Sequence, residues 1–166
     1  MRTNEIASAL TKILAELLDG TNDRGGPVVL NSGDIGLLRS LDKLSAADAS
    51  RPVNQGATIA AHALHLAYGM SLMNRWASEG GDPFADATWD EAWKTTVVDD
   101  SRWKAIRSEL ANEANRWLRV LAAPRDVTGA ELNGMIGSVA HLAYHLGAIR
   151  QIAPATRGPK EGTFKP

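Results

Sequence analysis

TGAELNGMIGSVAHLAYHLGAIRQIAP, running from Thr128 to Pro154, is the stretch whose reading decides the fold. Its large apolar residues, Leu132, Met135, Val139, Leu142, Leu146 and Ile149, recur every three or four positions, the period of a helix with one buried face. Thr128 followed by Glu131 is a capping-box pattern at one end, and Pro154 is a stop at the other. This predicts a long helix over 129–153. Inside it His141 and His145 stand four residues apart, slightly more than one helical turn, so their imidazoles project from the same side and can share one metal ion. Two nitrogen ligands alone do not make a site.

The same period appears three more times. Ile6, Leu10, Ile13, Leu14, Leu17 and Leu18 predict a helix near 3–19 that Gly20 ends. Ile59, Leu66, Met70 and Met73 predict one near 55–78, closed by Gly80-Gly81-Asp82-Pro83, and Trp103, Ile106, Leu110, Trp117 and Leu121 predict one near 101–122. Asp99 and Asp100 suit the start of the latter, and Pro124 stops it. Between these, a short helix begins near Ser32 or Asp34, and Thr88 with Glu91 suggests a capping box that sets Trp89 and Trp93 on a short helix lying across the others. Strand alternation, internal repeats and linkers are absent from the pattern.

Four amphipathic helices bury their stripes most simply against one another, so the expected fold is all-α, a four-helix bundle. The short connection at 123–130 favours antiparallel neighbours, whereas the two earlier links are long enough to cross an end of the bundle. Residues 1–153 are read as one domain. Residues 154–166, in which Phe164 is the one large apolar group, are read as a loose tail.

Composition narrows the function. The chain has 166 residues, 44% hydrophobic and 22% charged, with a formal net charge of −1, so nothing in it offers a basic face to nucleic acid or to a membrane surface. Cysteine is absent, which removes thiolate ligands and a cysteine nucleophile and leaves histidine and carboxylate as the strong metal ligands. Arg2, Glu5, Lys12 and Glu16 interrupt residues 1–18, so that stretch reads as neither a signal peptide nor a membrane span, and a cytoplasmic protein is expected.

All four histidines fall in two clusters, because His62 and His65 lie in the first half of the helix predicted near 55–78. One of them, added to His141 and His145, would complete three protein ligands and leave a coordination position open. Several buried imidazoles with no common purpose would leave polar groups unsatisfied, which favours a shared ion. Leu142 occupies the position where a His-Glu-x-x-His protease carries its glutamate. Ile59, His62, Ser138 and Leu142 stand three before the four histidines, so the Glu-x-x-His pairs of di-iron bundles are absent too. Three neutral imidazoles suit zinc, nickel, iron or copper.

His141-Leu-Ala-Tyr-His145-Leu-Gly147-Ala-Ile149-Arg150-Gln151 resembles the last-helix signature of the DinB/YfiT family of metal-dependent enzymes, and Ala61-His62-Ala-Leu-His65-Leu-Ala resembles that family's second-helix segment. The likeness covers roughly residues 3–153. It implies a four-helix bundle with long crossover connections and one divalent metal, nickel or zinc, held by His65, His141 and His145. His65 is taken over His62 because Leu66-Ala67 follows it. Ala148 stands where many relatives have glutamine, a departure beside the ligands rather than among them.

The resemblance also implies an enzyme acting on a small molecule, as a hydrolase or as a thiol-dependent S-transferase with a low-molecular-weight thiol as cosubstrate. His62 is then the candidate catalytic base. The competing expectation is a non-catalytic helical protein, a homodimer through an exposed apolar face, whose histidines are structural or bind metal without turnover. Tyr68, Tyr144 and Arg150 are secondary candidates: phenols near the metal, and a guanidinium that captures a substrate carboxylate or reaches solvent.

Overall fold

A computed structural model describes residues 3–21, 26–123 and 126–160, with the side chains of Thr3 and Asn4 outside the description. Among the described residues the chain is all-helical, without strands: α1 is Thr3–Asp19, α2 Gly36–Asp42, α3 Ala46–Ala49, α4 Ile59–Glu79, α5 Asp100–Ala122 and α6 Gly129–Ile152, with single 3-10 turns at Glu91–Lys94 and Pro154–Thr156. The expected stop at Pro124, most of the turn at 21–26 and the Phe164 end of the tail lie outside the described residues. No described helix is long and apolar enough to cross a membrane.

Local chemistry sets the helix ends. Thr58 Oγ1 accepts from the Ala61 N–H and starts α4, four residues later than the sequence predicts, because Asn54 and Gln55 occupy left-handed backbone at φ 50° and 60° that no helix continues through. Asp99 caps α5 through the Arg102 N–H, and Thr128 and Glu131 form the expected reciprocal box at the start of α6. The second expected box does not form. Thr88 gives its N–H to the Tyr68 hydroxyl instead, and the turn at Glu91–Lys94 has no side-chain cap. A capping box that the sequence pattern did not predict forms instead at Ser45 and Asp48, ahead of α3, and the expected short helix is split into α2 and α3.

The four long helices enclose one core. α1 and α4 each pack against α5 and α6, and the predicted apolar stripes supply the interior: Leu14, Leu17, Leu18, Leu66, Ile106, Leu110, Trp117, Leu121 and Leu142 are fully or almost fully buried. α5 and α6, expected to be neighbours, instead lie across the core from each other, where Trp117 Nε1 donates to Ser138 Oγ at 2.8 Å. Their indole-to-hydroxyl contact needs no close backbone approach. The Asn74–Glu113 and Thr58–Thr95 hydrogen bonds run in the same sense along α4 and the chain entering α5. These two helices are therefore parallel, which obliges the connection between them to travel back along the molecule.

That crossing segment, residues 80–99, is pinned along its length. Arg75 Nη2 donates to the Pro83 carbonyl and to Asp86, the Tyr68 hydroxyl accepts from Thr88, Thr58 Oγ1 donates to the Thr95 carbonyl, and Ser50 Oγ accepts from Val98. It carries Trp89 and Trp93 over the α4 and α6 histidines, with Phe84 stacked on Trp89. At the other end the chain is tied differently. Gly20 at φ 93° and Gly36 at φ 73° pass so closely that a Cβ on Gly20 would lie 2.1 Å from the Asp34 carbonyl oxygen, and one on Gly36 would lie 2.3 Å from the Gly20 nitrogen. Arg150, half-buried, binds both carboxylate oxygens of the buried Asp34 at 2.8 Å. Residues 154–160 also pack rather than hang loose: Thr156 is buried, Pro159 accepts from Asn31 Nδ2, and Gly158 abuts the Asp34 carboxylate.

Candidate metal centre

α4 and α6 run antiparallel, as Gly134 against Trp76 at one end and His62 against His145 at the other require. On α4, His62 and His65 are three residues apart; on α6, His141 and His145 are four apart. Both pairs therefore sit on the facing sides of their helices. The four rings close into one cluster. His65 Nε2 lies 3.0 Å from His141 Nε2, and His62 Nδ1 lies 2.8 Å from His145 Nδ1. His141 and His145 meet edge to face with centroids 4.4 Å apart, and His65 is 4.9 Å from His145.

His65, His141 and His145 each present a ring nitrogen, all within 4.8 Å of one another, a group that could hold a divalent metal ion. Two ligands each 2.0–2.1 Å from a tetrahedral ion stand about 3.3 Å apart, so the 3.0 Å His65–His141 spacing needs only a few tenths of an ångström of adjustment. His62, the candidate base, meets His145 through Nδ1.

Burial sets the protonation of the cluster. His62, His65 and His145 are buried and His141 half-buried. Loss of hydration, with the nearby imidazoles His141 and His62, pushes His65 down to about 4; the same loss, with His141, His62 and His65, pushes His145 to about 3. Burial lowers His62 and His141 as well. At neutral pH all four rings are thus neutral, the form whose lone pair binds metal. His65 Nδ1 is buried without a hydrogen-bond partner.

Aromatic rings roof the cluster. The Trp93 ring leans over His65 with centroids 4.5 Å apart at 31°, and meets His62 edge to face at 5.3 Å. Trp89 lies 5.5 Å from His65, while Trp103 and Trp117 are core residues with their indole N–H groups bonded to Leu44 and Ser138. Tyr144 stacks edge-on to His145 from an exposed position, and Tyr68 faces the crossing segment rather than the histidines. The sequence predicts Trp93 on a short crossing helix, without placing it over the histidines. Its signal was available in the four-residue spacing from Trp89, though not the direction in which the segment would fold back. No protein-family profile, curated protein or solved structure matches the chain.

Proposed function

We propose that the protein is a metal-dependent enzyme of the DinB/YfiT kind, a four-helix bundle with long crossover connections that holds one nickel or zinc ion on His65, His141 and His145. The observation that carries this reading is the convergence of all four histidines, from two helices, under an aromatic roof. When bound, the ion would lower the pKa of a water toward neutrality or hold a thiol as thiolate, the chemistry of hydrolysis or of S-transfer to a low-molecular-weight thiol.

The chain's own residues supply the rest. Three neutral imidazoles bring no compensating charge, so the full positive charge stays available to an oxygen or sulfur nucleophile. Where His145 binds through Nε2, its Nδ1 carries the proton and donates it to His62 Nδ1, fixing the ring's tautomer and orientation. In this arrangement His62 is a positioning residue, since its accepting nitrogen is already used. Trp93 keeps water from that side of the rings.

The test uses untagged full-length protein loaded with zinc or nickel. One ion per chain, lost in His141→Ala, together with hydrolysis or thiol transfer on a panel of small esters, amides and epoxides, is the expected result. Stoichiometric metal without turnover on that panel would favour the non-catalytic reading, and metal-free protein would overturn the centre itself.

A further inference from the structure

Beside the histidines, α4, α6 and the crossing segment line a half-open pocket of about 230 Å³ in which His141 is the one titratable wall residue. Leu66, Met70 and Met73 line it from α4, Phe84 and Trp89 from the crossing segment. Ser138 also reaches the wall, but its hydroxyl donates to the Met135 carbonyl at 2.7 Å and accepts from Trp117 Nε1, so it offers little to a ligand. We propose that this pocket is the substrate subsite of the centre and takes an uncharged apolar group the size of one aromatic ring, with the reacting end of the molecule held at His141. The proposal rests on the metal-dependent reading above and adds the substrate class to it.

Size, chemistry and position agree. An apolar cavity of about 150 Å³ is enough to bind benzene, so this pocket has room for a ring with a short linker. A carboxylate or ammonium placed there would lose its hydration with no opposite charge among the lining residues. Phe84 and Trp89 stack with centroids 5.9 Å apart, presenting ring surface, and the two methionines are flexible groups that mould to an irregular guest. Glycine keeps the space open. A Cβ on Gly137 would meet nothing within 4 Å, and one on Gly69 would touch only the Trp89 ring at 3.6 Å, so both lining positions have room for a larger side chain at the pocket wall.

Fluorobenzene titrated into metal-free full-length protein, followed by ¹⁹F NMR, tests the pocket without the ion. Wild type should bind it saturably, benzoate should compete at least about tenfold more weakly, and Gly137→Leu or Gly69→Leu should weaken fluorobenzene by about tenfold or more, the loss expected when a ring's apolar surface is no longer buried. Circular dichroism checks that each variant folds, and either one suffices. No saturable binding to wild type, or equal binding to both filled variants, overturns the proposal. In a second arm, cobalt-loaded protein is titrated with phenylmethanethiol and with 2-mercaptoethanol through the thiolate-to-cobalt absorption band. A preference of about tenfold for the aromatic thiol, levelled in Gly137→Leu, supports the subsite, and no preference overturns it. Should the chain take up no cobalt, the metal reading fails while the fluorobenzene result still decides the pocket.

Discussion

His62 and His145 face each other Nδ1 to Nδ1 at 2.8 Å, one on α4 and one on α6, so that a single proton is shared between two helices. One ring must donate and the other accept. If His145 is a ligand through its other nitrogen, the proton belongs to His145 and the acceptor is His62. Replacing His62 with Ala should then weaken zinc by about 10–100-fold without removing it, whereas His65→Ala, His141→Ala and His145→Ala should each abolish stoichiometric binding. His62→Gln, whose amide oxygen can accept the same proton, should recover much of the loss. Competition with a chromophoric chelator measures all five variants against the wild type, and complete loss in His62→Ala would make His62 a ligand instead.

The reading of α6 from its apolar period, its Thr128–Glu131 box and its histidine pair needed only local signals, which is why its range differs from the observed one by a single residue at the C-terminal end. α1 was legible for the same reason. Pairing between elements was not. A short link argued for α5 beside α6, but α5 packs its buried stripe of Trp103, Ile106 and Leu110 into a core where its neighbours are α4 and α1, a preference no local pattern displays. The partner of Arg150 lies 116 positions away, and the crossing segment's direction follows from Arg75, Tyr68 and Thr58 acting together. Sequence spacing placed the histidines on two helices. The pairing of individual nitrogens depends on how those helices face each other.

Asp34 is the buried member of an ion pair with Arg150: its side chain is 1% exposed against 17% for that of Arg150, and the Gly36 N–H also donates to it. Removing Arg150 strands a carboxylate away from water. Arg150→Met is expected to destabilise the fold by about 3–5 kcal/mol, and the double variant Asp34→Leu/Arg150→Met by clearly less than the sum of the two single changes. Urea unfolding of the four proteins gives the coupling directly. Additive effects would show that the pair contributes only its separate contacts.

Gly20 and Gly36 should tolerate substitution worse than Gly81, although all three have positive φ. Alanine at Gly81 meets nothing within 4 Å, so it carries only the left-handed backbone cost of about 1–2 kcal/mol. Alanine at Gly20 or Gly36 adds an overlap with backbone atoms, which cannot rotate aside, and the crossing of α1's end with the start of α2 must open. The expected order in urea midpoint is Gly81→Ala well above the other two. Equal losses at all three positions would mean that the crossing yields easily.

Acid should weaken the metal-free protein through the histidines before most carboxylates titrate. In the folded state His65 and His145 are held at about 4 and about 3, chiefly by burial, whereas an unfolded histidine titrates near 6.5. Above about pH 7 neither state binds these protons and the two residues leave stability independent of pH. Between about 6.5 and 4 the unfolded chain takes up protons that the folded chain refuses, so unfolding free energy falls as pH falls, by at most about 1.4 kcal/mol per pH unit for each histidine. Bound zinc steepens the dependence, because protons compete for the imidazole lone pairs and the stabilisation conferred by the ion disappears with it. Urea midpoints from pH 8 to 5 should therefore be flat, then fall, with a steeper fall in zinc. His65→Gln/His145→Gln removes both groups while keeping polar side chains, and should flatten the metal-free curve and erase the effect of zinc. A wild-type curve that parallels this variant across the whole range would show that the cluster is not what senses the acid.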